Sequence, residues 1–210
     1  METGKYVVIE GTDGTGKSTQ VDKLAKRLDT FDVEVVQFHE PDGVPISHEL
    51  RNVIKNGNLA RSAFTNLLLF SAARHENWRQ LALPVLERGG WVLSARDYTS
   101  TVAYQGYGEG LDLNVIDEIT ALATDERYMK PDLTLILDIE DEEERSRRIG
   151  QRGELLNPDT FESKDDEFQF RVREAYRDIA KKRGLQVISA SKTPQEVERD
   201  ILLEVAKIVL

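Results

Sequence analysis

Cysteine is absent from the 210 residues, which excludes a disulfide framework and thiolate chemistry. No apolar run approaches the length of a membrane-spanning helix, and the N-terminal residues lead straight into the first predicted strand without the apolar segment of a signal peptide. Positive charge is also scarce: 28 Lys and Arg stand against 38 Asp and Glu, a formal net charge of −10, which argues against a nucleic-acid-binding surface. We therefore expect a cytoplasmic protein without membrane or nucleic-acid partners.

What the chain does contain is an alternation of apolar strands and amphipathic helices. Its length suits one α/β domain over residues 1–210, and 40% apolar with 31% charged residues is typical of a globular protein. Short apolar runs predict strands at 6–9, 33–38, 91–94, 133–138 and 185–189. Strands that alternate with helices predict a three-layer fold, a five-stranded parallel sheet flanked by helices.

Three connecting segments are harder to assign. The stretch 61–87 has helical periodicity, and its interior Pro84 should kink the helix or start a new segment. Residues 97–110, rich in Tyr, Thr and Gly, are predicted as a loop or the start of a helix. Residues 150–164 have no periodicity, and we expect a mobile lid at about 148–164.

The most informative stretch is 5–19, where the first predicted strand runs through a glycine-rich turn into a helix. Gly11, Gly16, Lys17 and Ser18 fill the pattern G-x-x-x-x-G-K-[ST] in its strand–loop–helix context, which predicts a P-loop NTPase fold. Glycines let backbone N–H groups curve around a phosphate, and the following helix directs its positive dipole end at the same anion. We expect Lys17 to reach the β/γ-phosphates and Ser18 to ligate Mg²⁺. The predicted ATP-binding loop comprises Gly11, Thr12, Asp13, Gly14, Thr15, Gly16, Lys17, Ser18 and Thr19.

Two segments carry candidate residues for the phosphate acceptor. Phe70 and Arg74 lie four apart on one predicted helix face, where a ring can stack on a base and a guanidinium can bond its edge. A core Phe beside a solvated Arg is the alternative, and spacing alone favours it. Arg96 follows a predicted strand, so it falls at the carboxyl edge of the sheet, where ligands bind. There it can clamp phosphate oxygens, with Tyr104 and Gln105 lining a base pocket; an ordinary polar loop is the alternative.

A dense basic patch at 145–152 leads into the aperiodic segment. Arginines on a mobile lid suit phosphoryl transfer, in which neutralising the charge of the transferred group is most of the catalysis. The alternative is a solvated helix face whose arginines pair with neighbouring glutamates. The residues concerned are Arg145, Arg147, Arg148 and Arg152 on one side and Glu142, Glu143 and Glu144 on the other.

Taken together, these motifs resemble the thymidylate kinase family of the bacterial type. The matching stretches are 10–19, 40–43 with Arg51, 69–74, 100–106, 131–138 and 152–155. The resemblance extends from the P-loop to the C-terminal helix, and Ala-Tyr-Gln-Gly at 103–106 is one of its more specific motifs. It implies a nucleoside monophosphate kinase that transfers the γ-phosphate of ATP to dTMP with Mg²⁺, and a homodimer that forms through the apolar faces of the 61–87 helix.

The resemblance also implies roles for single residues. Asp13 would hold the 3′-hydroxyl of the acceptor sugar, and Tyr104 would crowd a 2′-hydroxyl and so favour deoxynucleotides. The acceptor-binding set is Asp13, Arg51, Phe70, Arg74, Arg96, Ser100, Thr101, Tyr104 and Gln105, with Phe70 stacked on thymine, Arg74 at its edge, and Arg51 and Arg96 on the phosphate. The catalytic set is Lys17, Arg96 and Arg152, and Arg148 belongs to the ATP site.

The chain departs from the family pattern at three places that bear on catalysis. Gly14 stands where one class of the family has a catalytic arginine, so the lid must supply that charge. In the lid, Asn157 stands where an arginine is frequent in the family, which leaves Arg152 as the better candidate. The third-strand motif, usually Asp-Arg-Tyr or Asp-Arg-His, begins here with Ala95, and the acid that helps to organise Mg²⁺ is missing from its usual place. Asp97 or Glu10 is the candidate to compensate, through water.

Two other functions stay open at this stage. The first is a kinase for another deoxynucleotide or for a deoxynucleoside. A deoxynucleoside kinase needs a general base, for which Glu10 or Asp13 is available. Arg51, Arg74 and Arg96 instead favour an acceptor that already carries phosphate. The other is a P-loop nucleotide-binding module with weak or no catalysis, motivated by Ala95. A GTPase switch is disfavoured because the sequence has no Asn-Lys-x-Asp motif.

Overall fold

The computed structural model describes residues 4–31, 33–150, 160–161 and 163–209. Five strands form one sheet in the order β2-β3-β1-β4-β5, and every neighbouring pair is parallel. The parallel five-stranded sheet predicted from the sequence is confirmed. The strands are β1 (Lys5–Gly11), β2 (Val35–His39), β3 (Trp91–Ala95), β4 (Leu133–Asp138) and β5 (Gln186–Ser189).

Alternate residues of the central strand point to opposite faces of the sheet, and because these residues are apolar, both faces are covered by helices. Tyr6 and Val8 enter the core beneath α3 and α9, whereas Val7 and Ile9 enter the core beneath α1 and α10. The helices are α1 (Lys17–Asp29), α2 (Pro45–Lys55), α3 (Ala63–Asn77), α4 (Leu83–Glu87), α5 (Tyr98–Thr101), α6 (Leu113–Ala123), α7 (Glu126–Met129), α8 (Glu142–Gly150), α9 (Asp166–Arg183) and α10 (Pro194–Ala206).

Two π-helical segments interrupt the α-helices. The predicted helix at 61–87 is α3, a π-helical turn at Trp78–Ala82, and α4, in which Pro84 lies in the first turn. There its missing N–H costs nothing, so the prediction of a new segment at Pro84 is confirmed. The stretch 97–110 is helical rather than a loop: α5 continues into a π-helix at Val102–Gly108. Such segments are frequent at functional sites.

Polar residues converge at the carboxyl edge of the sheet. The phosphate loop follows β1, His39 ends β2, and Arg96 follows β3, which neighbours both β1 and β2. This is the edge at which parallel α/β sheets bind their ligands. Within the described ranges, no helix is both long and apolar enough to cross a membrane.

Candidate active site

The phosphate loop adopts the backbone that its glycines permit. Gly11, Gly14 and Gly16 have φ values of 137°, 91° and 87°, which side chains with a Cβ rarely adopt. Gly16 is the N-cap of α1 and has no side chain to bond the first-turn N–H groups, which leaves them for an anion. Lys17 Nζ donates to the Thr12 carbonyl at 2.7 Å, so its ammonium is folded over the loop.

All the residues predicted to surround the acceptor line one cavity beside this loop, together with Lys17 and Ser18. They come from the phosphate loop, from α2 and α3, and from the residue and the helical segment that follow β3. Glu40 and Phe161 also line the cavity, although neither was predicted from the sequence as an acceptor-binding residue. The acceptor residues are Asp13, Arg51, Phe70, Arg74, Arg96, Ser100, Thr101, Tyr104 and Gln105.

Arg96 is held at the centre of the site by several acceptors. Its φ of 77° lies in the left-handed region, a strained conformation for arginine that turns the chain sharply after β3. Its Nη2 donates to Asp13 Oδ1 at 2.6 Å, and its guanidinium lies 5.5 Å from the centroid of the Tyr104 ring. The Tyr104 hydroxyl donates to Asp13 Oδ2 at 3.1 Å. Burial alone would raise the pKa of Asp13, but Arg96 and Lys17 hold it well below its ordinary value.

Glu10 lies beneath this cluster and is fully buried. Its Oε1 accepts from the backbone N–H groups of Asp97 and Ser100 at 2.9 and 3.0 Å, and its Oε2 accepts from the Tyr176 hydroxyl at 2.9 Å. These bonds tie β1 to the start of α5 and to α9. They occupy both carboxylate oxygens, so any contribution of Glu10 to a metal site would be indirect. Tyr176 was not selected from the sequence, because it lies 166 residues away.

Arg74 is buried, with 1% of its surface exposed, so the alternative of a solvated Arg is wrong. Its Nε donates to Glu40 Oε2 at 3.0 Å and to the Tyr128 hydroxyl at 2.7 Å, and its Nη2 donates to Thr101 Oγ1 at 3.0 Å. Burial raises the pKa of Glu40, and Arg74 opposes that rise. Within the described residues, Arg74 Nη1 is buried without a hydrogen-bond partner. Arg74 therefore lines the cavity and carries one buried N–H group whose hydrogen bond is unused.

The other end of the cavity is aromatic. The Phe70 ring lies 6.0 Å from that of Phe161, and the Tyr104 ring meets Phe161 edge-on at 5.9 Å. Phe70 is only partly buried, so its face is accessible from the cavity. A flat, mostly apolar ligand ring fits between such side chains.

Ala95 ends β3 with a methyl group where the family pattern has an acid, and the nearest carboxyl on the same segment is Asp97. Asp97 is 1% exposed, lines the cavity and caps α5 by accepting from the Thr99 N–H at 2.7 Å. Burial, together with the nearby Glu10 charge, raises the pKa of Asp97 from 3.8 to about 7.

The metal-binding prediction concerns Ser18 and Glu10. Ser18 Oγ lies 3.1 Å from His39 Nδ1, and burial lowers the pKa of His39, so the imidazole is mostly neutral near pH 7. In the part of the chain that the structure describes, no group of three or more His, Cys, Asp or Glu side chains is arranged to hold a metal ion. Mg²⁺ bound with nucleotide needs no such cage, since phosphates and water supply most of its ligands.

Three arginines of the basic patch lie on α8 and pair with its glutamates, as the alternative interpretation predicted, although Arg145 is buried rather than solvated. Arg145 pairs with Glu142, and Arg147 and Arg148 pair with Glu144. Arg148 Nη1 also donates at 2.9 Å to the carbonyl of Ala190, the residue that follows β5. Arg152, the predicted catalytic arginine, lies outside the described residues.

The fold and the site together define a class: phosphotransferases that bind a nucleoside triphosphate on a P-loop at the edge of a parallel sheet and hold the acceptor in the adjoining cavity. A family model described as thymidylate kinase matches residues 9–201. The chain belongs to the thymidylate kinase family.

Individual relatives agree with this family assignment. A thymidylate kinase from Chlorobaculum parvum is 37% identical over 203 residues, which cover 93% of each chain. Another from Prochlorococcus marinus (strain MIT 9301) is 38% identical over 205 residues, which cover 94% of this chain and 93% of the relative. The crystal structure of a thymidylate kinase from Ehrlichia chaffeensis matches with a TM-score of 0.77 and 29% identity, covering 97% of this chain and 99% of that one. The resemblance inferred from the motifs is confirmed.

Proposed function

We propose that the chain transfers the γ-phosphate of ATP to dTMP, giving ADP and dTDP. The observation that carries this proposal is the state of Arg74: a buried, always charged guanidinium lines the acceptor cavity beside Phe70 and has an unbonded N–H group. Leaving that group unsatisfied costs about 1–3 kcal/mol, which a carbonyl oxygen at the edge of a pyrimidine would recover. A thymine ring on Phe70 places such an oxygen within reach of α3.

Phosphoryl transfer asks this protein mainly for positioning and charge neutralisation. Lys17 would neutralise the transferring phosphate from the loop side, and Arg96 and Arg51 would hold the acceptor phosphate in line with it. Arg51 Nε lies 3.6 Å from Asp42 Oδ2, a partly exposed pair that can give way to a phosphate. The acceptor phosphate is already anionic near neutral pH, so no general base is required.

Mg²⁺ fits the site as a nucleotide-bound ion. The Ser18 hydroxyl is exposed at the start of α1, next to the N–H groups that would hold the phosphates. When bound, the ion would neutralise the β- and γ-phosphate oxygens. Asp97 follows β3 and its N–H is bonded to Glu10, and these two carboxyl groups would contribute to such a site only through water.

The preference for a deoxyribose would come from Tyr104 and Asp13. The Tyr104 ring lines the cavity, and its hydroxyl is fixed by Asp13, so it cannot easily move aside for a 2′-hydroxyl. Asp13, held ionised by Arg96, is an acceptor for the 3′-hydroxyl.

A homodimer is part of the proposal. Phe64 and Leu68 lie four apart on one face of α3 and are 44% and 45% exposed. Val53 on α2 and Leu122 on α6, helices that contact α3, are also exposed. We propose that Val53, Phe64, Leu68 and Leu122 form the apolar face through which two subunits meet.

The second candidate, a nucleotide-binding module with weak or no turnover, is favoured by one observation, the methyl group of Ala95 at the end of β3. A coupled ADP-release assay with ATP and Mg²⁺ distinguishes the two, with dTMP, dUMP, dCMP, dGMP, UMP and thymidine as acceptors. We expect turnover with a strong preference for dTMP. Turnover on a different acceptor would refute Phe70 and Arg74 as thymine-recognition residues, and tight ATP binding without any turnover would support the binding module.

Three further points stay predictions from the sequence. They are the organisation of residues 1–210 as one domain with a lid at about 148–164, the roles of Arg148 at the ATP site and Arg152 in catalysis, and the cytoplasmic location.

A further inference from the structure

Glu109 follows the π-helix Val102–Gly108 and accepts hydrogen bonds from three separate parts of the chain. Asn66 on α3 donates to its Oε2 at 3.2 Å, and Gln105 Nε2 donates to the same oxygen at 3.1 Å. Lys164 Nζ lies 3.1 Å from its Oε1. The Glu109 side chain is only 10% exposed. A nearly buried carboxylate with this many donors fixes the groups around it.

The bond to Gln105 determines which end of that amide faces the ligand. The carboxylate of Glu109, paired with Lys164, can only accept hydrogen bonds, so Gln105 must turn Nε2 toward it. Gln105 is 1% exposed and lines the acceptor cavity. Its Oε1 is therefore the atom that it offers to a donor in the cavity. Thymine and uracil carry such a donor at N3–H, whereas N3 of cytosine is an acceptor.

The bond to Lys164 fixes the aromatic end of the same cavity. The Lys164 N–H donates to the Phe161 carbonyl at 3.3 Å in a tight turn, and Phe161 lines the cavity against Phe70 and Tyr104. On the other side of Phe161, Thr160 Oγ1 donates to the Ile54 carbonyl at 2.9 Å. The Phe161 carbonyl also accepts from Gln169 Nε2 at 2.8 Å, so Glu109 supports, through Lys164, one of several contacts that hold Phe161 at the cavity.

Asn66 links Glu109 to the segment that carries Thr160. Its Nδ2 donates to Glu109, and its Oδ1 accepts from Arg61 Nε at 2.6 Å. Arg61 Nη2 in turn donates to the Thr160 hydroxyl at 3.1 Å. A continuous polar network therefore surrounds the apolar end of the cavity, with Glu109 at the point where its branches meet.

We propose that Glu109 is a positioning residue for the acceptor site: it sets the orientation of the Gln105 amide, which selects a base with an N3–H donor, and through Lys164 it holds Phe161 at the cavity. The inference rests on the proposed function, because it assumes that a pyrimidine nucleotide occupies the cavity. Among the residues that the structure describes, Glu109 makes no hydrogen bond to the phosphate loop or to Arg96, so its effect should be confined to the acceptor.

Substitutions separate the effect of Glu109 on the Gln105 amide from its effect on Phe161 through Lys164. Glu109→Gln keeps the shape but offers both a donor and an acceptor, so the Gln105 amide can turn over and present Nε2 to the cavity. We expect the ratio of kcat/KM for dTMP to kcat/KM for dCMP to fall about tenfold, with the KM for ATP unchanged. Glu109→Asp keeps an acceptor-only group and should retain most of the wild-type ratio.

Lys164→Met removes the hydrogen bond between Lys164 and Glu109, together with the contact of the ammonium with the Phe168 ring, and leaves Gln105 bonded to Glu109. It should raise the KM for dTMP and dCMP by a common factor and leave their ratio unchanged. Because the Lys164 side chain is 35% exposed, this variant tests the proposal even where Glu109→Gln is poorly folded. Glu126→Gln, which breaks the exposed pair with Lys130, is the matched control and should change neither quantity.

The outcomes also separate this inference from the function on which it rests. A wild-type chain that phosphorylates dTMP, with a folded Glu109→Gln variant whose base ratio equals that of the wild type, overturns the inference alone. So does a Lys164→Met variant whose acceptor KM values do not rise. A wild-type chain that neither binds nor phosphorylates dTMP in calorimetry and the ADP assay overturns both.

Discussion

Asp13 and Arg96 form a hydrogen-bonded ion pair in the middle of the site, with 2.6 Å between Oδ1 and Nη2. The pair joins the phosphate loop to the segment after β3, so the donor and acceptor sites share one electrostatic element. It also leaves Asp13 ionised throughout the neutral range, since its pKa is held well below the ordinary value.

Asp13→Asn should lower kcat/KM for dTMP about ten- to a hundredfold, because a hydrogen bond to a charged group contributes about 1.5–3 kcal/mol. Steady-state kinetics with dTMP and with its 3′-deoxy analogue give a double-mutant cycle between side chain and substrate. If Asp13 holds the 3′-hydroxyl, the substitution should have little further effect on the 3′-deoxy analogue. Additive losses would mean that Asp13 serves only to orient Arg96.

Lys17→Ala should reduce kcat by about a hundred- to thousandfold, the usual effect of removing one donor that stabilises developing charge. The fold should be retained, because the Lys17 ammonium bonds the loop carbonyl of Thr12 and is not part of either apolar core. ADP release and circular dichroism measure the two effects. Lys26→Ala, in the last turn of the same helix, is the control, and turnover near the wild-type rate in Lys17→Ala would refute the loop assignment.

Arg74→Met should destabilise the fold by about 3–5 kcal/mol, because it leaves the buried Glu40 carboxylate without its partner. The double variant Arg74→Met, Glu40→Gln should recover a large part of that loss, since no buried charge is left unpaired. Both variants should lose dTMP use. Urea unfolding of the wild type, the two single variants and the double variant measures the coupling energy between Arg74 and Glu40. If the double variant loses as much free energy of unfolding as the two single variants together, the predicted pairing is wrong.

Asp97→Asn should stabilise the protein more at pH 8 than at pH 5. The pKa of Asp97 is raised to about 7 in the folded state, so between about pH 4 and pH 7 the folded chain keeps a proton that the unfolded chain has lost. Stability therefore falls as the pH rises through this window, and the cost is fully present above it. Asparagine keeps the cap on Thr99 and carries no charge, so we expect a gain on the order of 1–3 kcal/mol at pH 8. Thermal unfolding at both pH values is the measurement, and an equal effect at the two would contradict the raised pKa.

Leu68→Glu should convert a dimer into a monomer, because it places a charge in the apolar face of α3. Light scattering coupled to size-exclusion chromatography gives the mass directly. Phe31→Glu is the matched control, since Phe31 is 69% exposed but lies outside that face. A wild-type chain that is already monomeric at micromolar concentration would refute the proposed interface.

Those parts of the structure that depend on local sequence were predictable. The phosphate loop was predicted because Gly11, Gly14 and Gly16 encode their own backbone conformation, and the strands because short apolar runs bounded by turns have few other interpretations. The two π-helical segments were not, because the extra residue in their turns leaves no distinct periodicity.

The contacts of the site could be anticipated only in part. Arg74 could be predicted as a site residue from the sequence. Its burial could not, because it depends on Glu40 and Tyr128, which are 34 and 54 residues away in the sequence. Glu109 had no local signal at all, since a lone acidic residue beside Gly108 and Gly110 is typical of a surface loop. Its three donors meet only after α3, the π-helix and the segment before α9 have packed together.

Gly14 has a consequence for how this site can evolve. Its φ is 91°, and a Cβ there would come within 3.3 Å of the Arg145 carbonyl oxygen and of Ile149 Cγ1 on α8. A side chain at this position would strain the loop backbone, and α8 would have to give way by a few tenths of an ångström. An arginine at position 14 therefore needs two adjustments at once, one in the loop and one in α8, so this packing disfavours gaining a loop arginine by a single substitution.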